Sequence, residues 1–340
     1  MTGTSKILTA VTSSRKWKDR KGRKTMDYRI GVDIGATTFK VGILDEQFRI
    51  VHRTSMKPQN TFEDSIRALS ELVTELAGQA GRKITDFPCL GVGVPCAVVP
   101  DTGQLILAHN LGWKDNNIRD ELSKYISIPL YFGNDANCAV WGETIAGAAK
   151  GRKHVIMLTL GTGVGSGIVI DGKLFTGGDG LGPEVGHLPL IYEGLPCSCG
   201  LNGCLESYAS ATALISQTKE AIAKNPSSSM ARWEQEHGEI TGRTAFDCAK
   251  EGDETALAVV DQYTSYLAGA LGGLVNIFRP EIILLGGGVS NAGDFLMDRV
   301  NAKLPRYTLA CDLIGTAPVQ RAILGNDAGI IGAAYLDQMR

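Results

Sequence analysis

The chain repeats one pattern at a constant offset of 126 residues, and this repeat constrains the fold more than any single motif does. One copy starts at residue 29 with RIGVDIGATTFKVGI, and the other starts at residue 154 with HVIMLTLGTGVGSGIVI. Gly35 aligns with Gly161 and Asp45 with Asp171 without a gap, since 161 − 35 and 171 − 45 both equal 126. Each copy alternates apolar, β-branched runs with turn-forming residues, which predicts consecutive antiparallel strands. The sequence therefore predicts two similar halves.

Two further pairs of segments extend the repeat. The tetrapeptide GNDA at 133–136 and at 325–328 ends a predicted strand and opens a helix, which puts Asp135 and Asp327 at equivalent helix starts. CLGVGVP at 89–95 and EIILLGGGVS at 281–290 each read as a buried strand that runs into a Gly-rich turn. Strands and helices that alternate in both halves predict two α/β lobes facing a central cleft. This arrangement resembles the two-lobed actin-like, sugar kinase and Hsp70 ATPase fold, with duplicated ribonuclease H-like domains.

Length supports a division into two domains, because 340 residues exceed what one hydrophobic core usually serves. We expect a basic, disordered tail over 1–26 and a small α/β lobe over 27–137, to which 326–340 return. The large α/β lobe is expected over 138–325, with a zinc-binding loop at 187–204.

Charge and hydropathy argue against two classes of partner. The 34 basic and 36 acidic residues give a net charge of −2, which offers no general surface for nucleic acid. Apolar runs such as 277–285 are far shorter than the roughly 18 residues of a membrane span, so we expect no membrane partner and a cytoplasmic protein. The N-terminal 25 residues are the exception, with Asp19 against eight cations: Lys6, Arg15, Lys16, Lys18, Arg20, Lys21, Arg23 and Lys24. They form a nucleic-acid-binding arm, a disordered tail, or a segment upstream of a start at Met26, but not a secretory signal.

The turns that the repeat duplicates predict two phosphate-binding loops. Backbone N–H groups of Gly-rich turns form concave anion sites, and Gly lets the chain approach phosphate oxygens closely. The first loop comprises Asp33, Gly35, Thr37, Thr38 and Lys40, and the second comprises Gly161, Thr162, Gly163 and Gly165. Each could instead be an ordinary hairpin turn, but two copies in one cleft favour phosphate binding. Competing nucleotide motifs fail, because the P-loop-like GIVIDGKL at 167–174 ends in Leu and no GxGxxG stands at a strand-to-helix turn.

A cluster of Cys and His predicts a metal site between the second loop and the following helices. His187, Cys197, Cys199 and Cys204 have the spacing H-x9-C-x-C-x4-C, and one imidazole with three thiolates completes a tetrahedral Zn²⁺ shell. Such a site is structural, because no ligand position stays open. The alternatives are a disulfide among the three cysteines or a loop that is Cys-rich by chance. The other five cysteines sit singly in apolar surroundings, which is typical of a reduced, cytosolic protein and favours zinc.

Asp135 is the candidate acid–base residue. Phosphoryl transfer to an alcohol requires an aligned hydroxyl and an acceptor for its proton. Asp135 leaves a strand at the predicted lobe junction, and Asn134 and Asn137 beside it have side chains able to hold a polyol. A plain N-cap is the alternative, and it is our interpretation of the equivalent Asp327, which precedes the close-packing sequence GIIGAA.

From residue 28 to the C-terminus, the motifs together resemble the ROK family of bacterial sugar kinases and related repressors. They are DIGATTFKVGI, GVGVP, NLGW at 110–113, GNDANCAVWGE, LGTGVGSGI, EVGH with CSCGLNGCLE, and LGGGVS. The resemblance implies that Asp135 is the general base on the sugar hydroxyl. It also implies that the hexose is bound by Asn110, Asn134, Asp135, Glu184, His187 and Glu206. ATP with Mg²⁺ is implied as the donor, with adenosine near Gly286, Gly287 and Gly288, and a homodimer or homotetramer is the usual assembly.

The resemblance leads us to expect a glucokinase-like enzyme that phosphorylates the 6-hydroxyl of glucose or of a related hexose or N-acetylhexosamine. His187 would then hold zinc with one side of its ring and a sugar hydroxyl with the other. One departure is Cys96-Ala97, where the family usually has Gly-Pro, in a loop expected near the sugar. Two other functions stay open. A ROK-type sugar-responsive transcriptional regulator would bind DNA through the basic N-terminus, although family repressors carry a longer helix-turn-helix domain ahead of the core. An actin-like or chaperone ATPase would hydrolyse ATP without sugar.

Overall fold

The computed structural model describes residues 28–108 and 111–339. The expected N-terminal tail and the predicted sugar ligand Asn110 lie outside the described residues. Across the described part of the chain, no helix combines the length and the apolar character needed to cross a bilayer.

The first half of the chain folds into a mixed sheet of five strands. The five strands of this sheet are β1 (Arg29–Ile34), β2 (Phe39–Leu44), β3 (Ile50–Met56), β4 (Leu90–Val94) and β9 (Leu130–Asn134). Between β4 and β9 the chain forms four two-residue strands, β5 (Val98–Val99), β6 (Gln104–Leu105), β7 (Leu107–Ala108) and β8 (Trp113–Lys114). The sheet has the order β3-β2-β1-β4-β9. β1, β2 and β3 form the predicted antiparallel meander, and β4 and β9 join in parallel register.

The second half builds a sheet with the same topology. Its strands are β10 (Val155–Leu160), β11 (Val164–Ile170), β12 (Lys173–Phe175), β13 (Ile282–Gly286) and β14 (Val319–Arg321), in the order β12-β11-β10-β13-β14. The bounds of β1 moved by 126 residues are those of β10, since 29 + 126 = 155 and 34 + 126 = 160. Three antiparallel strands are again followed by two parallel ones. The predicted duplication is therefore confirmed at the level of strand order and strand direction. The register of the first hairpin differs by one residue, because Ile34 pairs with Phe39 whereas the equivalent Leu160 pairs with Val164.

Helices cover the outer faces of the sheets and fill the space between them. In chain order they are α1 (Phe62–Gln79), α2 (Ile118–Leu122), α3 (Asp135–Ala146), α4 (Glu206–Ala209), α5 (Ala211–Lys224), α6 (Ser229–His237), α7 (Thr244–Lys250), α8 (Glu254–Phe278), α9 (Asp294–Lys303), α10 (Cys311–Ile314) and α11 (Ala328–Ala334). Helix α1 begins where Thr61 accepts a hydrogen bond from the backbone N–H of Asp64, and its apolar residues recur with helical spacing on the buried face.

Helices α3 and α11 cross each other between the two sheets. Added Cβ atoms show how close they come, because one at Gly332 would overlap the carbonyl oxygen of Cys138 and one at Gly142 would overlap that of Ala328. Only residues without a side chain allow the two backbones to meet at this distance. The helices also exchange partners. α3 follows a strand of the first sheet but packs on β10 and β11, whereas α11 follows the second sheet and packs on β1 and β4.

Three apolar clusters account for the layers of the molecule. The middle one contains Cys138, Val140 and Trp141 of α3, and Ile330 and Ile331 of α11. One outer cluster lies between the first sheet and α1, and the other lies between the second sheet and α5, α7, α8 and α9. The cleft between the halves therefore has a floor made of α3 and α11. The predicted domain boundaries at residues 137 and 326 fall at the starts of these two helices and stay a prediction.

Candidate active site

A cavity of about 400 Å³ opens between the two halves. Six of the predicted site residues line it: Asp33, Lys40, Asp135, Gly286, Gly287 and Gly288. Asp33 comes from the end of β1, Asp135 from the start of α3, and the three glycines from the turn after β13. The structure thus brings the carboxylates of Asp33 and Asp135, at the ends of β1 and β9, together with the Gly-rich turn of the second half.

Asp135 is the first residue of α3 and does not cap it. The cap is Asn134, whose Oδ1 accepts hydrogen bonds from the backbone N–H groups of Ala136 (2.9 Å) and Asn137 (3.2 Å). The Nδ2 of Asn134 donates to the carbonyl oxygen of Cys96 at 3.4 Å. One oxygen of Asp135 accepts the N–H of Ala136 at 2.8 Å, while the residue stays half-buried at the cleft. Because Asn134 serves the helix end, the carboxylate of Asp135 can face the cavity.

The surroundings of Asp135 make it a stronger base than an ordinary aspartate. Burial and the neighbouring carboxylates of Asp33 and Glu184 raise the pKa of Asp135 to about 6, against the hydrogen bond from Ala136. A carboxylate with such a pKa is ionised at neutral pH and holds a proton more readily than an exposed one. Such a pKa suits acid–base chemistry near neutral pH, and the catalytic role of Asp135 stays a prediction.

The first predicted phosphate loop places a cation beside Asp33. Lys40 Nζ lies 3.2 Å from Oδ2 of Asp33, across the hairpin of β1 and β2. The backbone N–H of Gly35 donates to the carbonyl oxygen of Thr38 at 3.0 Å, which closes the turn. Gly35, Thr37 and Thr38 form this turn but are not among the described residues that line the cavity. The loop therefore presents its charged residues inward and its turn at the rim.

The second predicted loop is tied to Glu206 rather than to the cavity. The N–H of Gly161 donates to the carbonyl oxygen of Gly163 at 3.0 Å, and Thr162 accepts through its carbonyl from the hydroxyl of Thr212 at 2.9 Å. One oxygen of Glu206 accepts the N–H of Val164 at 2.9 Å. Its other oxygen accepts the hydroxyl of Ser198 at 3.3 Å. Glu206 thus bridges the second turn and the Cys-rich segment, while its carboxylate retains capacity for further donors.

The four predicted zinc ligands converge. The ligand atoms of His187, Cys197, Cys199 and Cys204 all lie within 4.8 Å of one another. Cys199 Sγ is 3.7 Å from Cys204 Sγ, and Cys197 Sγ is 3.8 Å from Nδ1 of His187. Sulfur atoms on a tetrahedron with Zn–S bonds of about 2.3 Å would be about 3.8 Å apart, so the cluster fits the ion. A disulfide would need about 2.05 Å, and all eight cysteines are free thiols.

The knuckle that carries the thiolates depends on two glycines. Gly200 and Gly203 have φ angles of 91° and 79°, in the left-handed region that glycine adopts without strain. The N–H of Cys197 donates to the carbonyl oxygen of Leu201 at 2.8 Å, and the N–H of Leu205 donates to that of Leu188 at 2.9 Å. These bonds fold residues 187–204, which we call the metal segment, back beside His187.

Glu184 connects the metal segment with the cleft. The N–H of His187 donates to the carbonyl oxygen of Glu184 at 3.1 Å, in a short helical turn. Burial raises the pKa of Glu184, the ring of His187 opposes this rise, and the carboxylate of Glu206 adds to it. The negative charge of Glu184 also raises the pKa of Asp135, the candidate base, so the two carboxylates interact. Asp135, Glu184, His187 and Glu206 therefore belong to one connected region, in which Asp135 lines the cavity and the other three lie outside its described lining.

Two expectations about side chains were wrong. Asn137 does not face a polyol in the cleft, because it is buried and its Nδ2 donates to the carbonyl oxygen of Gly182 at 3.2 Å. Asp327 makes no side-chain cap for α11. It instead accepts from Nη2 of Arg53 at 2.8 Å in an exposed ion pair. In both cases a partner far away in sequence decides where the side chain goes.

Sequence reasoning also missed residues that line the cavity: Thr159, Ser290, Asn291, Arg321 and Asn326. The repeat held a signal for two of them, since Thr159 is equivalent to Asp33 and Asn326 to Asn134. Nη2 of Arg321 donates to Oδ1 of Asn291 at 2.7 Å, which places a guanidinium opposite Lys40 on the second half's wall. Cys96, the departure from the family pattern, is buried beside Asn134, and burial with the nearby Asp135 raises its pKa to about 12. Its thiol is therefore neutral.

Known proteins resemble this chain over almost its whole length. The sequence model of the ROK family matches residues 29–340. The glucokinase of Halalkalibacterium halodurans is 38% identical over 312 residues, which cover 90% of this chain and 94% of that protein. The glucokinase of Thermotoga maritima is 37% identical over 92% of this chain and 97% of that one. The crystal structure of a ROK family glucokinase from Streptomyces griseus, in complex with glucose and AMPPNP, matches with a TM-score of 0.77. It is 32% identical, and the match covers 91% of this chain and 98% of that one. The predicted two-lobed, actin-like α/β fold is confirmed.

Proposed function

The chain belongs to the ROK family, and from this premise we propose that it is an ATP-dependent hexose kinase that phosphorylates the 6-hydroxyl of glucose. Both glucokinases are covered almost completely by the match. The enzyme class and the hexose are supported by these relatives and by the glucose complex of the Streptomyces griseus enzyme. The choice of glucose over another hexose or an N-acetylhexosamine rests on them alone.

The observation that carries the proposal is the position of Asp135 in the cavity. It is a base with a pKa of about 6, it faces the Gly-rich turn of Gly286 to Gly288 across the cleft, and it is adjacent to Glu184. A general base in this position can accept a proton from a hydroxyl group, whereas an ATPase without a sugar acceptor gives no reason for Glu184, His187 and Glu206 to converge beside it.

The proposed reaction is a direct transfer. The hydroxyl oxygen of the hexose attacks the γ-phosphorus of ATP, the bond from that phosphorus to the β–γ bridging oxygen breaks, and ADP leaves with the electron pair. The proton of the hydroxyl passes to the carboxylate of Asp135. Most of the rate enhancement in such a reaction comes from alignment and from neutralising the charge of the transferring group.

The phosphate groups of ATP have cationic and backbone partners in the cavity. Lys40 is the cation of the first half, and Arg321 is the cation of the second half, next to the Gly286 to Gly288 turn. Mg²⁺ would enter with ATP and offset phosphate charge. The carboxylate of Asp33 is the oxygen donor in the cavity that suits this hard cation, and its bond to Lys40 would hold it in place.

The hexose wall is the metal segment together with Glu184 and Glu206. When bound by His187, Cys197, Cys199 and Cys204, zinc would supply structural cross-linking and no open coordination position. Nδ1 of His187 is the ring nitrogen beside Cys197, so Nε2 is the nitrogen free to meet a sugar hydroxyl. Glu184 and Glu206 would accept hydrogen bonds from other hydroxyl groups of the pyranose.

A coupled assay that measures ADP formation across a panel of hexoses and N-acetylhexosamines tests the proposal. We expect ADP to form only with sugar and kcat/KM to be highest with glucose. ADP formed at the same rate without any sugar would replace the kinase by an ATPase. Sugar binding without phosphorylation, joined to DNA binding that the sugar releases, would favour the regulator.

A further inference from the structure

The segment that carries Glu184 is fastened to the helix that carries Asp135. We call residues 176–185 the Glu184 loop. Nδ2 of Asn137, in the first turn of α3, donates to the carbonyl oxygen of Gly182 at 3.2 Å. Asn137 follows Asp135 by two residues, so one helical turn presents the candidate base and holds the loop of the neighbouring carboxylate.

Ser166 of β11 holds the same loop through two further hydrogen bonds. Its hydroxyl donates to the carbonyl oxygen of Pro183 at 3.0 Å and accepts from the N–H of Val185 at 3.0 Å. The two bonds flank Glu184 on both sides in the chain. Ser166 is buried, so water competes little for its hydroxyl. The side chains of Asn137 and Ser166 therefore hold the backbone on both sides of Glu184, through Gly182, Pro183 and Val185.

Helix and strand form one support for these anchors. A Cβ at Gly167 of β11 would overlap Val140 of α3, and one at Gly165 would lie 3.2 Å from Cβ of Ala136. The first turn of α3 therefore rests directly on β11. Asn137 and Ser166 act from two elements that are in contact, and they hold the Glu184 loop at a defined distance from Asp135.

The hydrogen bonding of Asn137 is incomplete in a way that argues against a purely stabilising role. The residue is buried, yet its Oδ1 has no hydrogen-bond partner among the described residues. A buried acceptor without a partner lowers the stability of the folded state. The repeat shows that the fold does not need a side chain here, because the equivalent residue in the second GNDA segment is Gly329 (137 − 135 = 329 − 327). The advantage that offsets this cost is the bond to Gly182.

We propose that Asn137 and Ser166 are positioning residues that fix the Glu184 loop against the helix of Asp135, so that the hexose is held by Glu184 at the right distance from the base. This inference rests on the proposed hexose kinase activity. Neither residue touches the reacting atoms, and each acts through the backbone on either side of Glu184. Loss of either anchor should therefore weaken hexose binding while ATP binding, which we assign to the cavity lined by Lys40, Gly286 to Gly288 and Arg321, is preserved.

Steady-state kinetics of the whole chain test the expected loss of hexose affinity. In Asn137→Ala and Ser166→Ala, we expect KM for glucose to rise about tenfold, the size of one hydrogen bond's net contribution. KM for ATP should stay within about twofold. The matched control is Thr144→Val, which removes a buried hydroxyl from the same helix, where it bonds only the carbonyl oxygen of Val140. This control should leave both KM values unchanged. Equal rises of both KM values, or no rise in either anchor variant, would overturn the inference.

Hydrogen exchange of the sugar-free protein tests the structural half and does not depend on activity. We expect the amides of the Glu184 loop, that of Val185 above all, to exchange at least tenfold faster in both anchor variants than in Thr144→Val. Unchanged protection in both variants would overturn the inference even if the enzyme is a hexose kinase. The outcome could also separate the two proposals. If the unsubstituted protein phosphorylates no sugar but both substitutions still speed exchange in the Glu184 loop, the proposed function is wrong and the anchoring is retained.

Discussion

The two GNDA segments have the same four residues and different surroundings. In the first, Asn134 caps α3, and Asp135 lies in the cavity with its pKa raised to about 6. In the second, Asp327 lies at the surface in an ion pair with Arg53 and caps nothing. The difference begins two residues later. Asn137 reaches the Glu184 loop, whereas the absent side chain of Gly329 leaves room for the carboxyl group of Asp33, whose Cγ would lie 3.1 Å from a Cβ there.

The comparison teaches that one motif can serve two ends of the same site. The first copy supplies the proposed base and the proposed anchor of the Glu184 loop. The second copy contributes Asn326 to the lining and makes space for Asp33, the proposed partner of Mg²⁺ and, through it, of the phosphate groups. A duplicated strand–turn–helix unit therefore sets the geometry, and residues outside the tetrapeptide decide which chemistry it supports.

The largest expected effect is on turnover. Asp135→Asn should lower kcat for glucose phosphorylation by about 10²–10⁴-fold, because the amide cannot accept the hydroxyl proton. Asp327→Asn, the same change in the other copy, should keep kcat within about twofold. Coupled ADP assays measure both rates, and calorimetry should show that Asp135→Asn still binds glucose. A near-normal kcat in Asp135→Asn would remove the functional difference between the copies.

Removal of the metal should affect hexose binding and ATP binding differently. We expect about one equivalent of zinc per chain, and after chelation KM for glucose should rise about tenfold or more while KM for ATP changes little. Loss of a group that orients a metal-ligating imidazole commonly costs about 10–100-fold, and here the ion itself would orient the ring of His187. Cys199→Ser should reproduce the effect, and Cys311→Ser, which changes a half-buried thiol outside the cluster, should not. Purified, active protein with no metal would contradict this prediction.

The pH dependence should report the charge around the first copy. Since Asp135 acts in its ionised form and its pKa is about 6, kcat/KM for glucose should fall up to tenfold per pH unit below pH 6. Asp33→Asn removes a carboxylate that raises this pKa, so the midpoint of the remaining activity should move to lower pH. A midpoint that stays near pH 6 in Asp33→Asn would place the source of the shift elsewhere.

The smallest expected effect is on thermal stability, where the same substitution in the two copies should change the Tm in opposite directions. The folded-state pKa of Asp135 lies above its ordinary value of 3.8, so its contribution to stability is lost as pH rises from about 4 to about 6. At pH 7, Asp135→Asn should therefore raise the Tm. Asp327→Asn breaks an exposed ion pair with Arg53, which contributes about 0–1 kcal/mol, and should lower the Tm slightly or not at all. Scanning calorimetry at pH 4 and pH 7 checks both, and the gain for Asp135→Asn should vanish at pH 4.

Much of the fold could be predicted from local patterns. The offset of 126 residues carried the first strand of both meanders and, to within one residue, the second. It did not carry the third, because β3 moved by 126 would start at 50 + 126 = 176 and β12 starts at Lys173. The Gly-rich turns after β4 and β13 marked the ends of those strands. The convergence of His187 with the three cysteines followed from spacing because all four lie within 18 residues of sequence, where chain geometry limits how far they can separate. Asp135 followed from the repeat and from the chemistry of a carboxylate at a helix start.

The parts that could not be predicted depend on packing between distant segments. Asn137 turned away from the cleft because Gly182, 45 residues on, offers its carbonyl oxygen. Asp327 left the helix end because Arg53, 274 residues away, reaches it. Arg321 lines the cavity from the end of β14 and Asn291 from the short helical turn Gly288–Ala292, and neither has a spacing signal of its own. Long-range partners of this kind are fixed only once both sheets and the two crossing helices are assembled.

The exchange of α3 and α11 has a consequence for how such a chain can be divided or recombined. A fragment that ended at Ala146 would contain α3 without the sheet it covers, and its own sheet would expose Gly31 and Gly91, against which the backbone of α11 packs. The complementary fragment would contain α11 with no surface to receive it. A half transplanted from a relative would meet the same mismatch unless both helices came with it. Each half therefore loses the helix that covers its sheet when it is cut from the other, so a transferable piece of this protein has to include both α3 and α11.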